Sequence, residues 1–395
     1  MGFFDFLTEE IAIDLGTANT LIIHNDKVVV DSPSIVARDR ISGKIIAVGK
    51  EANLMQGKTH ENIKTIRPLK DGVIADFDAS EQMISMFIKN IPALKKKLFT
   101  PALRMVVCIP SGITEVEMRA VKESCERVNG KEVYLIHEPM AAAIGIGIDI
   151  MQPKGNMIVD IGGGTTDLAV FKDGIIRHTA VIPFGGNVVT EDIKEGCSII
   201  EKQAELLKIK FGSAWPGENK DNEIVSIPGL RGREPKEITL KNLSKIIHAR
   251  VVEIIEQVYV EIKNYGHEEQ KKKLIAGIVL TGGGAQLKHL KQLVEYITGM
   301  DTRIGYPNEH LAGGSDDDIA SPLYATAVGL VMDGLKRQER RRIEKEVEEM
   351  SNVAVEHSEE NISQEEEVIE SPRKERKSFL DKLTERVKDF LDNAE

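Results

Sequence analysis

The chain has 395 residues, enough for two domains with buried cores. It is 41% hydrophobic and 29% charged, ordinary for a globular protein, and its net charge of −11 excludes a nucleic-acid binder that needs a broad basic face. Cys108, Cys125 and Cys197 stand far apart with no CxxC pair, which excludes a structural zinc site and fits a reducing cytosol.

The opening MGFFDFLTEE has no basic n-region and no long apolar h-region, so it is not a secretory signal. Phe3, Phe4, Phe6 and Leu7 make a small apolar patch with two readings: a packed N-terminal strand or end, or a weak membrane-touching segment. No apolar stretch reaches the roughly 18 residues of a spanning helix.

IAID at 11–14 predicts the first strand, and it runs into the turn IDLGTANT at Ile13–Thr20. A helix follows over Ser80–Lys89, then a strand at 104–110 (RMVVCIP), with Cys108 as plain core, and a helix over Glu115–Val128. In LIHEPMAAAIG, 135–145, Glu138 follows a strand and precedes Pro139 and an alanine-rich helix start. Small side chains there let two elements cross closely. Glu138 itself has two readings. It is a helix-start acid favoured by the dipole, or a carboxylate that orients a water attacking a γ-phosphate. His137 reads as structural.

The strand MIVDIG at 157–162 enters a second turn, VDIGGGTTD at 159–167. Taken alone, this stretch is either a tight hairpin bend or a phosphate cradle. Helices are predicted over Asp192–Lys208 and Leu243–Tyr265. The strand AGIVLTG at 276–282 then leads through a third glycine-rich loop, VLTGGGAQL, into a helix over Leu287–Thr298. A second small-residue helix, SPLYATAVGLV at 321–331, is the expected crossing partner of 138–145, the two forming a hinge. The alternation predicts α/β layers with buried sheets. The likeness of the hairpins near 11–30 and 156–176 predicts an internal duplication, hence two lobes and a cleft.

Glycines let backbone N–H groups converge on an anion. The candidate phosphate-binding residues are therefore Gly16, Thr17, Ala18 and Asn19 in the first loop and Gly162, Gly163, Gly164, Thr165 and Thr166 in the second. Asp14 and Asp160 end their strands at these loops, and two carboxylates near a triphosphate suit Mg²⁺ held through its waters. Glu138 and Thr166 are the candidate catalytic residues. Neither a G-x-G-x-x-G opening a helix nor a Walker lysine is present, so Rossmann and P-loop readings fail.

After Gly334 the composition changes. KRQERRRIEKEVEEM extends a helix, and the acid-rich residues 351–377 read as a disordered linker. In the closing SFLDKLTERVKDFLDNAE, residues Phe379, Leu380, Leu383, Val387, Phe390 and Leu391 share one helical face, with basic residues before and around them. The leading reading is a helix lying in a membrane interface. A partner-binding helix, or docking on the body, are the alternatives.

The motifs in this order resemble the actin, Hsp70 and sugar-kinase superfamily, over about residues 10–335. That resemblance implies an actin-like two-lobed ATPase fold of duplicated ribonuclease H-like domains. Within it, residues 1–166 resemble the bacterial shape protein MreB, through IAIDLGTANTLII, NIKTIRPLKDGVIADF, VVCIPSGITEVEMRAV and HEPMAAAIG. From Asp167 the chain resembles the division protein FtsA of Bacteroidetes type, through DLAVFKDGIIRHTAVIPFGGN, SIPGLRGREPKEI, GMDTRIGYPNEHLAG and KDFLDNAE. The join falls inside the shared GGGTT loop, so the chain reads as a mosaic.

The resemblance implies lobe I at 1–150 with a small subdomain at about 31–71, and lobe II at 151–335 with a subdomain at about 186–250. Residues 320–335 return to lobe I, 336–377 are linker, and 378–395 are the membrane helix. It implies ATP with Mg²⁺, Glu138 as the catalytic glutamate, and Gly185, Gly186, Glu205, Lys208, Gly282, Gly283, Gly284, Ala285 and Gln286 on the nucleoside side. It further implies slow ATP hydrolysis coupled to filament assembly on the cytoplasmic face of the cell membrane. The expected partners are other copies of the chain, the membrane, the division tubulin homologue and wall-synthesis or divisome proteins. The expected role leans to anchoring the division ring at the septum. The alternatives are a rod-shape scaffold for elongation and a non-hydrolysing ATP-binding adaptor.

Overall fold

The computed structural model describes residues 8–362, apart from 26, 58–60, 71, 96–100, 151–154, 221, 230–233, 267–273 and 308–318. The Phe3–Leu7 patch and the helix expected at 378–395 lie outside the described residues. The chain divides into two units, 1–337 and 338–395.

The first unit is built on two five-stranded sheets. In the first, β1 (Thr8–Leu15), β2 (Asn19–His24) and β3 (Lys27–Pro33) form an antiparallel meander, and β4 (Ala102–Ile109) and β5 (Gly130–His137) add in parallel beyond β1. In the second, β6 (Asn156–Ile161), β7 (Thr166–Lys172) and β8 (Ile175–Ile182) form the meander, and β9 (Ile278–Thr281) and β10 (Thr302–Ile304) add in parallel beyond β6. The two sheets therefore have one topology, with each strand of the second matching the strand five numbers lower in the first. The sequence likeness of the two hairpins is structural duplication.

Helices cover these sheets, and local chemistry sets their ends. α1 (Phe77–Asn90) starts where Asp76 accepts the Ala79 N–H at 2.9 Å. α2 (Glu115–Arg127) starts at a capping box, Thr114 and Glu117 each bonding the other's backbone N–H. Both pack on the first sheet, around Met83, Phe87, Met105 and Val107. α6 (Leu240–Tyr265) runs from the Thr239 cap to Gly266, whose φ of 85° ends it. Its stripe Leu243, Ile247, Val251, Ile255, Val258 and Ile262 is buried in the core of the second sheet. Each such side chain contributes about 1.5–3 kcal/mol.

The helix expected over Asp192–Lys208 is two helices, α4 (Gly186–Cys197) and α5 (Glu201–Phe211). Ser198 has a left-handed φ of 48° between them, which stops α4. α7 (Leu290–Thr298) follows the third glycine loop.

Residues Val36–Asp39, Ile45–Val48 and Ile63–Ile66 form a small three-stranded sheet within the first half, and Ile224–Ile227 pairs with Lys236–Thr239 in the second.

Two helices cross between the sheets. α3 (Glu138–Gly145) follows the first sheet but packs Ala142, Ala143 and Ile146 against Ile158, Ala169 and Val279 of the second. α8 (Ala325–Ile362) follows the second sheet, but Ala327 and Leu330 pack with Ala12, Val106 and Ile136 of the first. Where they meet, a Cβ on Gly145 would collide with the Ala325 carbonyl, and one on Gly329 with the Ala141 carbonyl. Only glycine permits that backbone-to-backbone approach. The expected crossing of the two small-residue helices is thus present. In the second unit α8 continues to Ile362, into the stretch the sequence reads as linker.

Candidate nucleotide site

Both hairpin turns follow paired strands whose last residue but one is a buried or part-buried acid, Asp14 before Leu15 and Asp160 before Ile161. In the first, Asp14 pairs with Leu21 and Leu15 with Thr20, leaving residues 16–18 as the turn. Ser34 fixes it, donating from its hydroxyl to the Gly16 carbonyl at 2.6 Å and from its backbone N–H to Ala18 at 2.9 Å. In the second, Asp160 pairs with Asp167 and Ile161 with Thr166. The turn closes through Gly162 N–H to the Thr165 carbonyl at 2.9 Å.

The two turns face each other. A Cβ on Gly163 would sit 2.9 Å from the Ala18 methyl, and one on Gly164 3.0 Å from the Thr17 methyl. The two sets of expected phosphate-binding residues are therefore brought together.

The expected nucleoside residues gather beside the second turn. Gly186 and Asn187, opening α4, donate their N–H groups to the Gly162 and Gly163 carbonyls at 2.8 Å each. Gly185 and Gly186 therefore lie against this turn. Lys208 of α5 reaches back to the Gly186 carbonyl at 2.8 Å, the Thr190 hydroxyl at 2.7 Å and Glu205 at 2.8 Å. Gly282 has φ 82°, and a Cβ there would strike the Asp160 carboxylate, so the Gly283–Gln286 turn is seated beside that acid. An apolar hollow lined by Gly186, Val189, Gly284 and Leu287 lies between α4 and this turn.

The electrostatics of the cleft are dominated by four carboxyls. Burial, then the charges of Asp167 and Asp14, pushes Asp160 up to about 7. Burial pushes Asp14 up to about 6 against a hydrogen bond from Cys108, with Asp167 adding to the rise. Burial also lifts Asp167 to about 6, although the Thr165 hydroxyl and the Ser111 N–H oppose it. Glu138 rises well above the carboxylate range, through desolvation first and then the charges of Asp167, Asp14 and Asp160. Asp160 and Asp167 are buried, whereas Asp14 and Glu138 keep part of their surface open.

Asp167 is the residue sequence reading passed over. It closes the quoted motif VDIGGGTTD, and its signal is its place in the pairing register opposite Asp160. The two threonines before it divide their work. Thr165 donates its hydroxyl to Asp167 at 2.9 Å, and Thr166 donates to the Phe184 carbonyl at 2.8 Å. His137 makes no hydrogen bond through its buried Nδ1.

Repelling carboxylates with oxygen donors fit a hard divalent cation. Among the described residues, no three His, Cys, Asp or Glu side chains stand together as direct ligands of one metal ion.

Against known families, residues 8–317 match the MreB/Mbl protein family model. The chain is 42% identical over 299 residues to the cell shape-determining protein Mbl of Bacillus subtilis, covering 72% of this chain and 87% of that one. It is 39% identical over 307 residues to the cell shape-determining protein MreB of Escherichia coli, covering 74% and 88%. Among solved structures it resembles MreB 5 of Spiroplasma citri bound to AMPPNP, with a TM-score of 0.68, 28% identity, and 86% and 98% of the two chains covered. The fold is thus actin-like. The family match extends past Asp167, into the half that resembles the division protein, and so favours the shape-protein reading over the septal one.

Proposed function

The chain belongs to the MreB/Mbl family, and from that premise we propose that it is an actin-like ATPase assembling into membrane-tethered filaments that guide cell-wall growth and cell shape. The observation that carries the reading is the pair of duplicated turns, each with a strand-end aspartate, facing each other across the α3–α8 crossing. A relative of the same fold is bound to AMPPNP, which supports a nucleoside triphosphate as the ligand.

In this reading, ATP phosphates lie between residues 16–19 and 162–166, and the nucleoside reaches Gly185, Gly186, Glu205, Lys208 and Gly282–Gln286. Asp14 and Asp160 would hold Mg²⁺ through its waters, and the ion would supply charge neutralisation for the phosphates. Glu138 orients a water toward the γ-phosphate and accepts its proton. The Thr166 hydroxyl donates to the Phe184 carbonyl and so holds the second turn in place beside that water. The α3–α8 crossing serves as the hinge, and closure biases the shape that polymerises. The 378–395 helix is the proposed tether, weak singly and strong by avidity along a filament.

Calorimetry with Mg·ATP and Mg·ADP tests the ligand, and binding is the expected result. Glu138→Ala is expected to lower phosphate release about 100-fold with nucleotide binding retained. Uptake of neither nucleotide ends the reading. Electron microscopy of ATP-loaded protein on lipid monolayers, with and without the division tubulin, tests filament, membrane and partner. Recruitment of that tubulin would favour the division-ring role over elongation.

A further inference from the structure

We propose that Thr326, near the start of α8, is a positioning residue for the Asp160 carboxylate, and that its hydroxyl sets how tightly the site holds Mg²⁺. The inference rests on the nucleotide reading above and adds to its metal site a residue from outside the glycine turns.

The first observation is a bond from the crossing helix to a buried acid. Thr326 and Asp160 are 5% and 6% exposed. The Thr326 hydroxyl donates to Asp160 Oδ2 at 3.2 Å. A Cβ on Gly282 would strike Asp160 Oδ1, so bare glycine backbone lies against the other oxygen. One oxygen is bonded and the other confined, and the carboxylate plane is held. Carboxylates that serve a metal are oriented by outer hydrogen bonds of this kind.

The second observation is that the duplicated halves draw this donor from different places. On β4, Cys108 pairs in register with Asp14, and its thiol donates to that carboxylate. On β9 the matching residue is Thr281, in register with Asp160. Its hydroxyl is a better donor than a thiol. Yet Thr281 donates to the Pro322 carbonyl at 3.2 Å, and Asp160 takes its donor from α8 instead. A helical threonine often bonds the carbonyl four residues back. For Thr326 that carbonyl is Pro322, whose oxygen already accepts from Thr281 and from the Gly282 N–H at 3.2 Å.

The third observation is that the crossing helices lose their symmetry at this residue. A Cβ on Gly145 of α3 meets the Ala325 carbonyl, and one on Gly329 of α8 meets the Ala141 carbonyl. The contacts are reciprocal, so position 141 matches 325, and Thr326 matches Ala142. Ala142 offers only a methyl and packs with Ile158 and Val279. Alanine is therefore enough for the crossing, and the hydroxyl of Thr326 serves the acid. Just beyond it, Ala327 and Leu330 pack with Ala12 and Val106 of the first sheet. Asp14 is thus anchored from within its own sheet, and Asp160 from a helix that also packs on the other.

The test is calorimetric titration of the full chain with ADP, first in EDTA and then at stepped Mg²⁺ concentrations. The readout is the Mg²⁺ concentration that gives half of its effect on ADP affinity. Thr326→Val keeps the shape and removes the donor. It is expected to raise that concentration about tenfold, with ADP affinity in EDTA within about threefold of the parent's. Thr326→Ser, which keeps the hydroxyl, is expected to stay within about threefold of the parent at every Mg²⁺ concentration. Thr326→Ala carries the same expectation as Thr326→Val if the valine variant does not fold. An unchanged Mg²⁺ requirement, a loss of affinity equal in EDTA and in Mg²⁺, or a serine variant as impaired as the valine one overturns the inference and leaves the nucleotide reading intact. A parent whose ADP binding ignores Mg²⁺ removes the metal and this inference together, and a parent that binds no nucleotide ends the reading beneath both.

Discussion

The hairpins β1–β2 and β6–β7 were built on one plan and put to different uses. Each carries an aspartate one residue before its strand ends, turns through glycine, and resumes pairing at a buried threonine. Each threonine ties the turn to the segment after the third strand, Thr20 to Ser34 at 2.9 Å and Thr166 to Phe184 at 2.8 Å. The first hairpin then returns to apolar packing at Leu21, part of the cluster around Ala12 and Val106. The second carries Asp167 and accepts a repulsive cross-strand pair. Duplication explains the paired turns, and Asp167 marks where the second departs from the first.

That comparison can be broken or sharpened by experiment. The largest effect is expected where the halves share a support. Gly329→Leu would drive a side chain into the Ala141 backbone and is expected to cost at least about 4 kcal/mol, read as lost cooperative unfolding or insoluble protein. A soluble variant with the parent's Tm would show that the crossing tolerates separation. A moderate effect is expected from restoring symmetry. Leu21→Asp puts a carboxylate opposite Asp14 and is expected to cost about 2–3 kcal/mol in denaturant unfolding. Should Leu21→Asp be neutral, an acid at this position is cheap in either half, and Asp167 loses its distinction.

The smallest effect is one of pH. Burial, then the charges of Asp167 and Asp14, raises the folded pKa of Asp160 from 3.8 to about 7, and burial raises that of Asp167 from 3.8 to about 6. Between those limits the folded protein keeps protons that the unfolded chain has released, so these groups' stabilising contribution is present at the acid end and lost as pH rises. Asp167→Asn removes one such group and one repulsion. In nucleotide-free protein its Tm is expected to exceed the parent's by a few degrees near pH 7, with the gap closing toward pH 4. A gap that is constant across pH, or widest in acid, would remove Asp167 from the coupled cluster. Asp14→Asn, facing Leu21, is expected to show a smaller gap.

Much of this was readable beforehand because it is local. Apolar runs that carry an Asp two residues before a Gly identified both turns, and small residues at 138–145 and 321–331 announced a close crossing. Other features were not local. The break of α4 from α5 rests on left-handed backbone at Ser198, a residue with no glycine's signal. The acidic end of VDIGGGTTD looked like the continuation of a motif because nothing in its neighbours reveals a cross-strand partner. The division-protein resemblance after Asp167 lost ground because the family match spans both halves.

The sequence by itself determined the elements, the duplicated glycine turns and the family, since strand period, helix period and glycine torsion are properties of short stretches. Only the tertiary structure decided that residues 14, 138, 160 and 167 share one field, and that residues 72, 111 and 112 close over 167 and 181. Those relations depend on two sheets meeting across a helix crossing. Coulomb energy and desolvation act through that space, which chain order does not record.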